Sequence, residues 1–321
     1  MHRRLFTLSA CAALAPGLAR AGLPEWPSRA VRLLAGFPAG STPDLIARAI
    51  AGPLGRALGQ TVIVDNRPGA SGNIAANLVA KARDGHTLGV LINGNLTSAK
   101  LLYPNLPYDP DKDFCPLGLL ATAPLALAAP ASAPSGADFF AQARAAGGRW
   151  NYGSVGIGSV AHLGMELLKS RVPGMNPAHV PYNGNPAVVA ALIGGQIQMA
   201  LIPPGLALPQ VKAGKLRVVG VTSRGRSPLA PDWPPLAELV APGFELQAWN
   251  ALIGPASLPA PAQARLADAA AAIMRQPALR ENLLAQGWLA AGGSPEELTR
   301  RIRQETELLG GIIRTLGIRL E

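Results

Sequence analysis

Short apolar or β-branched runs that end in a glycine-containing turn and reopen as a helical pattern recur along this chain. That alternation limits the folds open to it. The first unit is Val31 to Asp44, where Val31, Leu33, Leu34 and Ala35 run into a Pro/Gly-punctuated turn. A helical spacing follows through Leu45, Ile46, Ala49, Ile50 and Leu54. Ser41 or Thr42 can cap that helix, Pro43 suits its first position and Asp44 faces its positive end. Such a start leaves backbone N–H groups free for an anion or carboxylate, although an ordinary βα connection has the same pattern. Val62 to Val64 opens a second unit, whose turn spans Asp65 to Asn73 and whose helix carries Ile74, Leu78 and Val79. A third strand, Thr87 to Ile92, ends at Asn93-Gly94-Asn95. Strands alternating with helices predict a mostly parallel sheet covered on both faces, with ligands at the carboxyl ends of the strands.

The pattern repeats further on. A proline-rich link, Tyr103 to Asp113, leads into an apolar strand-like run from Phe114 to Ala129. A helix over 137–146 precedes a strand at Trp150 to Tyr152, which opens into Gly153 to Ser159 and a helix with Leu163, Leu167 and Leu168 on one face. Val180 to Tyr182, Ile197 to Ile202 and Leu216 to Thr222 read as strands. Between them lie a helix over 187–193, closed by Gly194-Gly195 in the manner of a left-handed cap, and a short one near 205–212. Leu246 to Pro255 reads as a long strand, followed by three helices at about 262–275, 277–286 and 294–309, the last with a Ser294 to Glu297 capping box. No further βα alternation is expected after Gly254, so the tail is predicted to return to the first region. Residues 22–122 with 246–321 then form one α/β lobe and 123–245 a second. Crossings near 114–130 and 246–255 supply a hinge and a cleft.

The first 21 residues read as an export signal rather than part of the fold. Arg3 and Arg4 precede an apolar Leu5 to Leu18, and Ala19-Arg20-Ala21 is a small-x-small cleavage site. The expectation is a periplasmic protein, soluble after cleavage near Ala21; a lipoprotein box at Leu8 to Cys11 is the competing reading. Cleavage leaves Cys115 as the sole cysteine, so no internal disulfide can form. The formal charge of +10 is scattered along the chain, which argues against a nucleic-acid partner. Its densest cluster, Arg300, Arg301 and Arg303 among Glu296, Glu297, Glu305 and Glu307, reads as a solvated helix face.

Motifs for catalysis are thin. Gly156-x-Gly158-x-x-Ala161 has the outline of a dinucleotide turn, but no acid stands at 176–186 to take a ribose. It reads either as another helix start for a carboxylate, with Ser154 and Ser159 as hydroxyl donors, or as a plain loop. Neither serine has the glycines of a nucleophile elbow. His2, His86, His162 and His179 show no metal spacing; no metal or cofactor is expected. His162 is a polar helix-start residue or a base, Tyr182 faces a cleft or covers a strand end, and Trp249 reads as packing.

Taken in order, these pieces resemble the Bug-type periplasmic solute-binding proteins of tripartite tricarboxylate transporters. The resemblance rests on the first turn with Asp44, Asn66-Arg67-Pro68-Gly69-Ala70-x-Gly72-Asn73, Leu106-Pro107-Tyr108-Asp109-Pro110, Asn151-Tyr152, Ser159-x-x-His162-Leu163, Val180-Pro181-Tyr182, Gly194-Gly195-Gln196, Lys212 to Arg217, Pro242 to Glu245 and Trp249. It implies a two-lobed, Venus-flytrap fold of the type II kind closing on a small carboxylate. It places one carboxylate on backbone N–H groups and ordered waters around Ala39-Gly40-Ser41 and Gly69-Ala70-Ser71-Gly72, with Phe37, Asp44 and Asn93 also in the ligand site. The ligand's far end falls to Ser154, Gly158, Ser159, His162, Tyr182 and Ile202. Partners would be the carboxylate and the transporter's membrane components, with the protein itself a monomer and not an enzyme. Gln198 and Ile202 stand where the family often has acids, so a dicarboxylate or an apolar or aromatic carboxylate is expected rather than an amino acid. A sensor delivering its ligand to a signalling partner, and an exported hydrolase using Ser159 and His162, are the competing functions.

Overall fold

The computed structural model describes residues 26–319. The expected export signal, its cleavage site and Cys11 lie outside them. The described residues build two sheets. The larger contains β1 (Val31–Ala35), β2 (Val62–Asn66), β3 (Thr87–Ile92), β4 (Phe114–Pro124), β10 (Gln247–Pro255) and β11 (Leu289–Gly293), in the order β11-β4-β10-β3-β1-β2. The smaller contains β5 (Ala126–Pro130), β6 (Asn151–Ser154), β7 (Ala178–Pro181), β8 (Met199–Ile202) and β9 (Leu216–Val221), in the order β7-β6-β8-β5-β9. Both are mixed rather than mostly parallel. β1 to β3, and β6 to β8, pair in parallel through helical crossovers. The strands that bring the chain back to the larger sheet and into the smaller one run the other way: β10 pairs antiparallel with β3 and β4, and β5 with β8 and β9.

Side-chain alternation divides the larger sheet's residues between two cores. Leu33 of β1 and Leu252 of β10 share one with Ile46, Ile50 and Leu54 of helix Thr42–Leu58 and with Leu266 and Ile273 of helix Ala260–Met274. Leu34 and Ile253, one residue along, meet Ala76 and Val79 of helix Asn73–Lys81 and Leu298 of helix Pro295–Leu316. Each such buried aliphatic side chain contributes roughly 1.5–3 kcal/mol. The smaller sheet carries its own cluster through Ala126, Ala128, Ala200, Ile202, Val188 and Leu192.

Two elements differ from the sequence reading. The run from Phe114 breaks at Leu125 into β4 and β5, which lie in different sheets. β11 adds an antiparallel edge to β4 after Gly254; its Leu-Ala-Ala-Gly-Gly sequence has weak strand propensity, and the partner strand supplies the ordering. The capping box is present, with Glu297 N–H donating to Ser294 Oγ at 3.2 Å and Ser294 N–H to Glu297 Oε2 at 2.7 Å. Gly195 takes the left-handed conformation (φ 69°) after helix Asn185–Ile193.

Where the chain passes between sheets, Thr222 ties the strands together. Its N–H donates to Leu125 O at 2.8 Å and its carbonyl accepts from Leu246 N–H at 3.0 Å. Its hydroxyl donates to Leu246 O at 2.7 Å and accepts from Leu125 N–H at 2.8 Å.

Candidate functional site

Four helices of nine residues or more begin at one cavity of about 50 Å³ between the two sheets. Ser41, Thr42 and Pro43 bring the start of Thr42–Leu58 to it; Ser159, Val160 and Ala161 bring that of helix Val160–Arg171. Asn185 does the same for Asn185–Ile193, and Pro203 for helix Pro204–Lys212. The first turn of a helix has N–H groups with no upstream carbonyl to bond, and each helix start carries about half a positive charge. One of these starts belongs to the larger lobe and three to the smaller. Phe37, Ile92, Leu125, Val155, Leu201, Ala248 and Trp288 complete much of the wall. Among the described residues, no Lys, Arg, Asp or Glu lines the cavity. Its positive potential is therefore a backbone property.

The first turn satisfies part of itself. Ser41 stands at the N-cap, yet its hydroxyl and its N–H both donate to the Pro38 carbonyl. Gly40 N–H donates to Asp44 Oδ2 at 3.0 Å, and Arg48 Nε to Asp44 Oδ1 at 2.9 Å. Burial alone would raise the Asp44 pKa, but bonds from Arg48, Gly40 N–H and Asn66 hold it below the ordinary carboxylate value. Asp44 thus clamps its own turn and does not line the cavity. Ala39 and Gly40 face solvent. What the turn offers begins at Thr42, whose Oγ1 accepts a 3.2 Å bond from Asn185 Nδ2 across the cleft.

The larger lobe contributes side chains. Asn93, just past β3, and Trp249 and Asn250 of β10 all line the cavity. Behind them Glu305 accepts from Asn93 Nδ2 at 2.6 Å and from Trp249 Nε1. Arg301 donates to Gln247 Oε1 at 2.9 Å and sits 5.7 Å from the Trp249 ring centre. Glu305 and Arg301 therefore turn inward, contrary to the solvated face expected of this helix. Burial raises the Glu305 pKa against the lowering effects of Trp249, Asn93 and Arg301.

The second turn meets the other lobe beside the cavity. Ala70 and Ser71 adopt positive φ, 47° and 56°, and Gly72 packs against Phe37. Asn95 Nδ2 donates to the Ser71 carbonyl at 3.0 Å, and Tyr103 Oη lies 3.2 Å from both Ser71 Oγ and the Ile157 carbonyl. Ser98 Oγ donates to Gly158 O at 2.5 Å. Gly156 presses on Ser71 so closely that a Cβ would overlap its hydroxyl. Across the cleft mouth, Gly205 has backbone contact with Gln286 and Gly287, and a Cβ there would collide with the Gln286 carbonyl. Gly69 is half-buried against Ile74, and Ala70 borders a separate surface groove with Leu78 and Pro107.

Apart from Ser159 and Asn185, the smaller lobe keeps its polar side chains one layer back. Ser154 Oγ contacts His179 Nε2 at 2.7 Å, and the His162 and His179 rings stack 4.2 Å apart, with Tyr152 beyond. Tyr152 Oη donates to Glu166 Oε1 at 2.6 Å, which also pairs with Lys169 at 2.9 Å. Burial pushes His162 down to about 4, helped by the Lys169 charge; burial and the His162 and Lys169 charges push His179 to about 3. Tyr182 is half-buried beside Gly153, and Ile202 is fully buried in the smaller core. Of the sequence-derived set, Phe37, Ser41, Asn93 and Ser159 line the cavity. Ser71 and Gly158 close the adjoining lobe contact. Asn185, Asn250 and Trp288 line the cavity although no motif marks them, and Thr42 joins them from the first turn. A lone amide in the apolar run after Trp249 was the available signal for Asn250.

The family model described as tripartite tricarboxylate transporter family receptor matches residues 46–318. This chain belongs to that family. The receptor is 36% identical over 290 residues to a UPF0065 protein in the tcbD-tcbE intergenic region of a Pseudomonas species, covering 89% of this chain and 85% of that one. Protein BugT of Bordetella pertussis is 30% identical, covering 92% of each. Among solved structures, R. palustris Rpa4515 with adipate has a TM-score of 0.88 at 33% identity, covering 92% of this chain and 99% of that one. MatC from Rhodopseudomonas palustris with bound malate has a TM-score of 0.84 at 31% identity, covering 90% and 100%. The receptor shares the two-lobed fold of periplasmic binding proteins and is a solute-binding protein. The proposed hydrolase pair takes other roles: Ser159 Oγ donates to Gly156 O and caps His162 N–H, while His162 Nδ1 accepts from Gly158 N–H at 3.2 Å.

Proposed function

We propose that this receptor captures a small carboxylate outside the cytoplasm and presents it, in the closed state, to membrane components of a tripartite tricarboxylate-type transporter. The convergence of four helix starts on a cavity without charged side chains carries the reading. N–H groups and helix dipoles hold a carboxylate without a counter-ion. The adipate and malate bound by the two Rhodopseudomonas proteins support the same ligand class. The cavity lining offers no carboxylate to pair with an ammonium, so the ligand is a carboxylate lacking an amino group. Position 202 does not enter this argument, because Ile202 faces the core. Closure selects the liganded state, and the transporter reads that closed shape.

The test is a thermal-shift screen of mono-, di- and tricarboxylates beside their amino analogues, followed by titration calorimetry. A carboxylate at a hundred times its Kd stabilises the folded state by about 2.7 kcal/mol. A clear rise in midpoint for carboxylates, absent for the amino acids, is expected. Preferential binding of an amino acid, or of a cation, would overturn the reading.

A further inference from the structure

Asn250 lies mid-strand in β10, paired across with Ile92 and Ala121, and is only 1% exposed. It lines the cavity, its side chain makes no hydrogen bond among the described residues, and its Oδ1 is buried without a partner. Other amides and hydroxyls that line the cavity each hold at least one hydrogen bond. Asn93 donates to Glu305, Asn185 to Thr42, Ser41 to Pro38 O and Ser159 to Gly156 O. Buried polar groups almost always have partners, and an apolar residue of the same size would fit this strand without that cost. The unmatched amide thus points to a group that arrives with the ligand.

We infer that Asn250 reads a hydroxyl on the carbon chain of the bound carboxylate, making the receptor selective for hydroxycarboxylates over their deoxy counterparts. This rests on the carboxylate reading above. The helix starts take the carboxylate oxygens. Their backbone N–H groups are donors only, so they cannot accept from a hydroxyl. Asn250 is an amide, able to donate through Nδ2 and accept at Oδ1, and one hydroxyl can satisfy either atom. The neighbouring Trp249, Ala248 and Leu125 surfaces offer the hydroxyl no other side-chain acceptor.

Titration calorimetry on the purified protein with matched pairs of three to six carbons tests this: lactate and propionate, 3-hydroxybutyrate and butyrate, malate and succinate, citrate and tricarballylate. The best-bound hydroxy acid should exceed its deoxy partner by at least about tenfold, the scale of one buried hydrogen bond. Asn250→Leu should bring the ratio of hydroxy-acid to deoxy-acid affinity to within about threefold of one, whatever the change in either affinity alone. Asn250→Ala, which leaves room for a water, serves as the second variant if the leucine disturbs the strand. Binding of deoxy and hydroxy acids with equal affinity in the wild type, or a preference that survives both substitutions, overturns the inference and leaves carboxylate capture intact. Failure of every pair to bind counts against the carboxylate reading itself.

Discussion

The two walls of the cavity are built from different material. The smaller lobe presents three helix starts, with Ser159 and Asn185 standing at two of them and otherwise apolar side chains, and keeps its histidines, Glu166 and Lys169 one layer behind. The larger lobe presents one helix start and a row of side chains, Asn93, Trp249 and Asn250, two of them braced by a buried acid. Backbone N–H groups recognise any carboxylate, because every carboxylate has the same acceptors. Side-chain amides on a rigid strand distinguish one carbon chain from another. Under the proposed carboxylate capture the lobes divide the work into grip and selection, and the division is testable from either side.

The largest effect should come from keeping the walls apart. In Gly205→Ala the new Cβ meets the Gln286 carbonyl, while alanine favours the helix by up to about 1 kcal/mol. Carboxylate affinity should fall by about a hundredfold or more, since the closed state is the binding state. The unfolding midpoint of the free protein should stay within a few degrees. Unchanged affinity by calorimetry, with an unchanged radius of gyration in small-angle scattering, would mean that this contact plays no part in closure.

Acid should weaken the smaller lobe first. Unfolded imidazoles titrate near 6.5, whereas His162 and His179 are pushed down to about 4 and about 3, facing each other, Tyr152, Glu166 and Lys169. The unfolded chain therefore binds more protons between these values. Stability is fully present above 6.5 and falls as pH drops toward 3. The loss amounts to several kcal/mol, because each tenfold difference in proton affinity between the folded and unfolded chain is worth about 1.4 kcal/mol. Replacing both histidines by glutamine should flatten the midpoint–pH curve in that window. A curve as steep as the wild type's would place the acid sensitivity elsewhere.

Between the lobes, Thr222→Val removes a hydroxyl that both donates to Leu246 O and accepts from Leu125 N–H. The expected loss is about 1–3 kcal/mol in denaturant unfolding, because two buried backbone groups each lose a partner. Affinity should also change if these crossings are the hinge. A smaller signal belongs to the larger lobe. Glu305 has a raised pKa in the folded state, so its contribution is present below the ordinary value and lost as pH rises through the folded one. The stability of Glu305→Gln relative to wild type should therefore improve with rising pH, by at most about 1.4 kcal/mol for each pH step of one. A difference independent of pH would show that the buried acid does not titrate in the measured range.

Much of the scaffold was legible because it is written locally. The apolar spacing of Thr42–Leu58, the capping box at Ser294 and the glycine stop at Gly194-Gly195 each depend on residues within a turn or two of one another. Helix starts, and hence potential anion sites, follow from the same short-range chemistry. The sequence alone thus determined the two α/β halves and the supply of unpaired N–H groups. Tertiary structure decided which of them meet. The crossing at Leu125 and Thr222 turns the smaller sheet so that three of its helix starts face Thr42. The long-range pairing of β10 with β3 and β4 puts Asn250 beside them without a partner. Glu305 shows the same limit: beside Arg301 and Arg303 it reads as surface, and only packing against Asn93 and Trp249 buries its carboxylate. Local sequence fixes backbone conformation, whereas burial and partnering depend on residues brought together from distant parts of the chain.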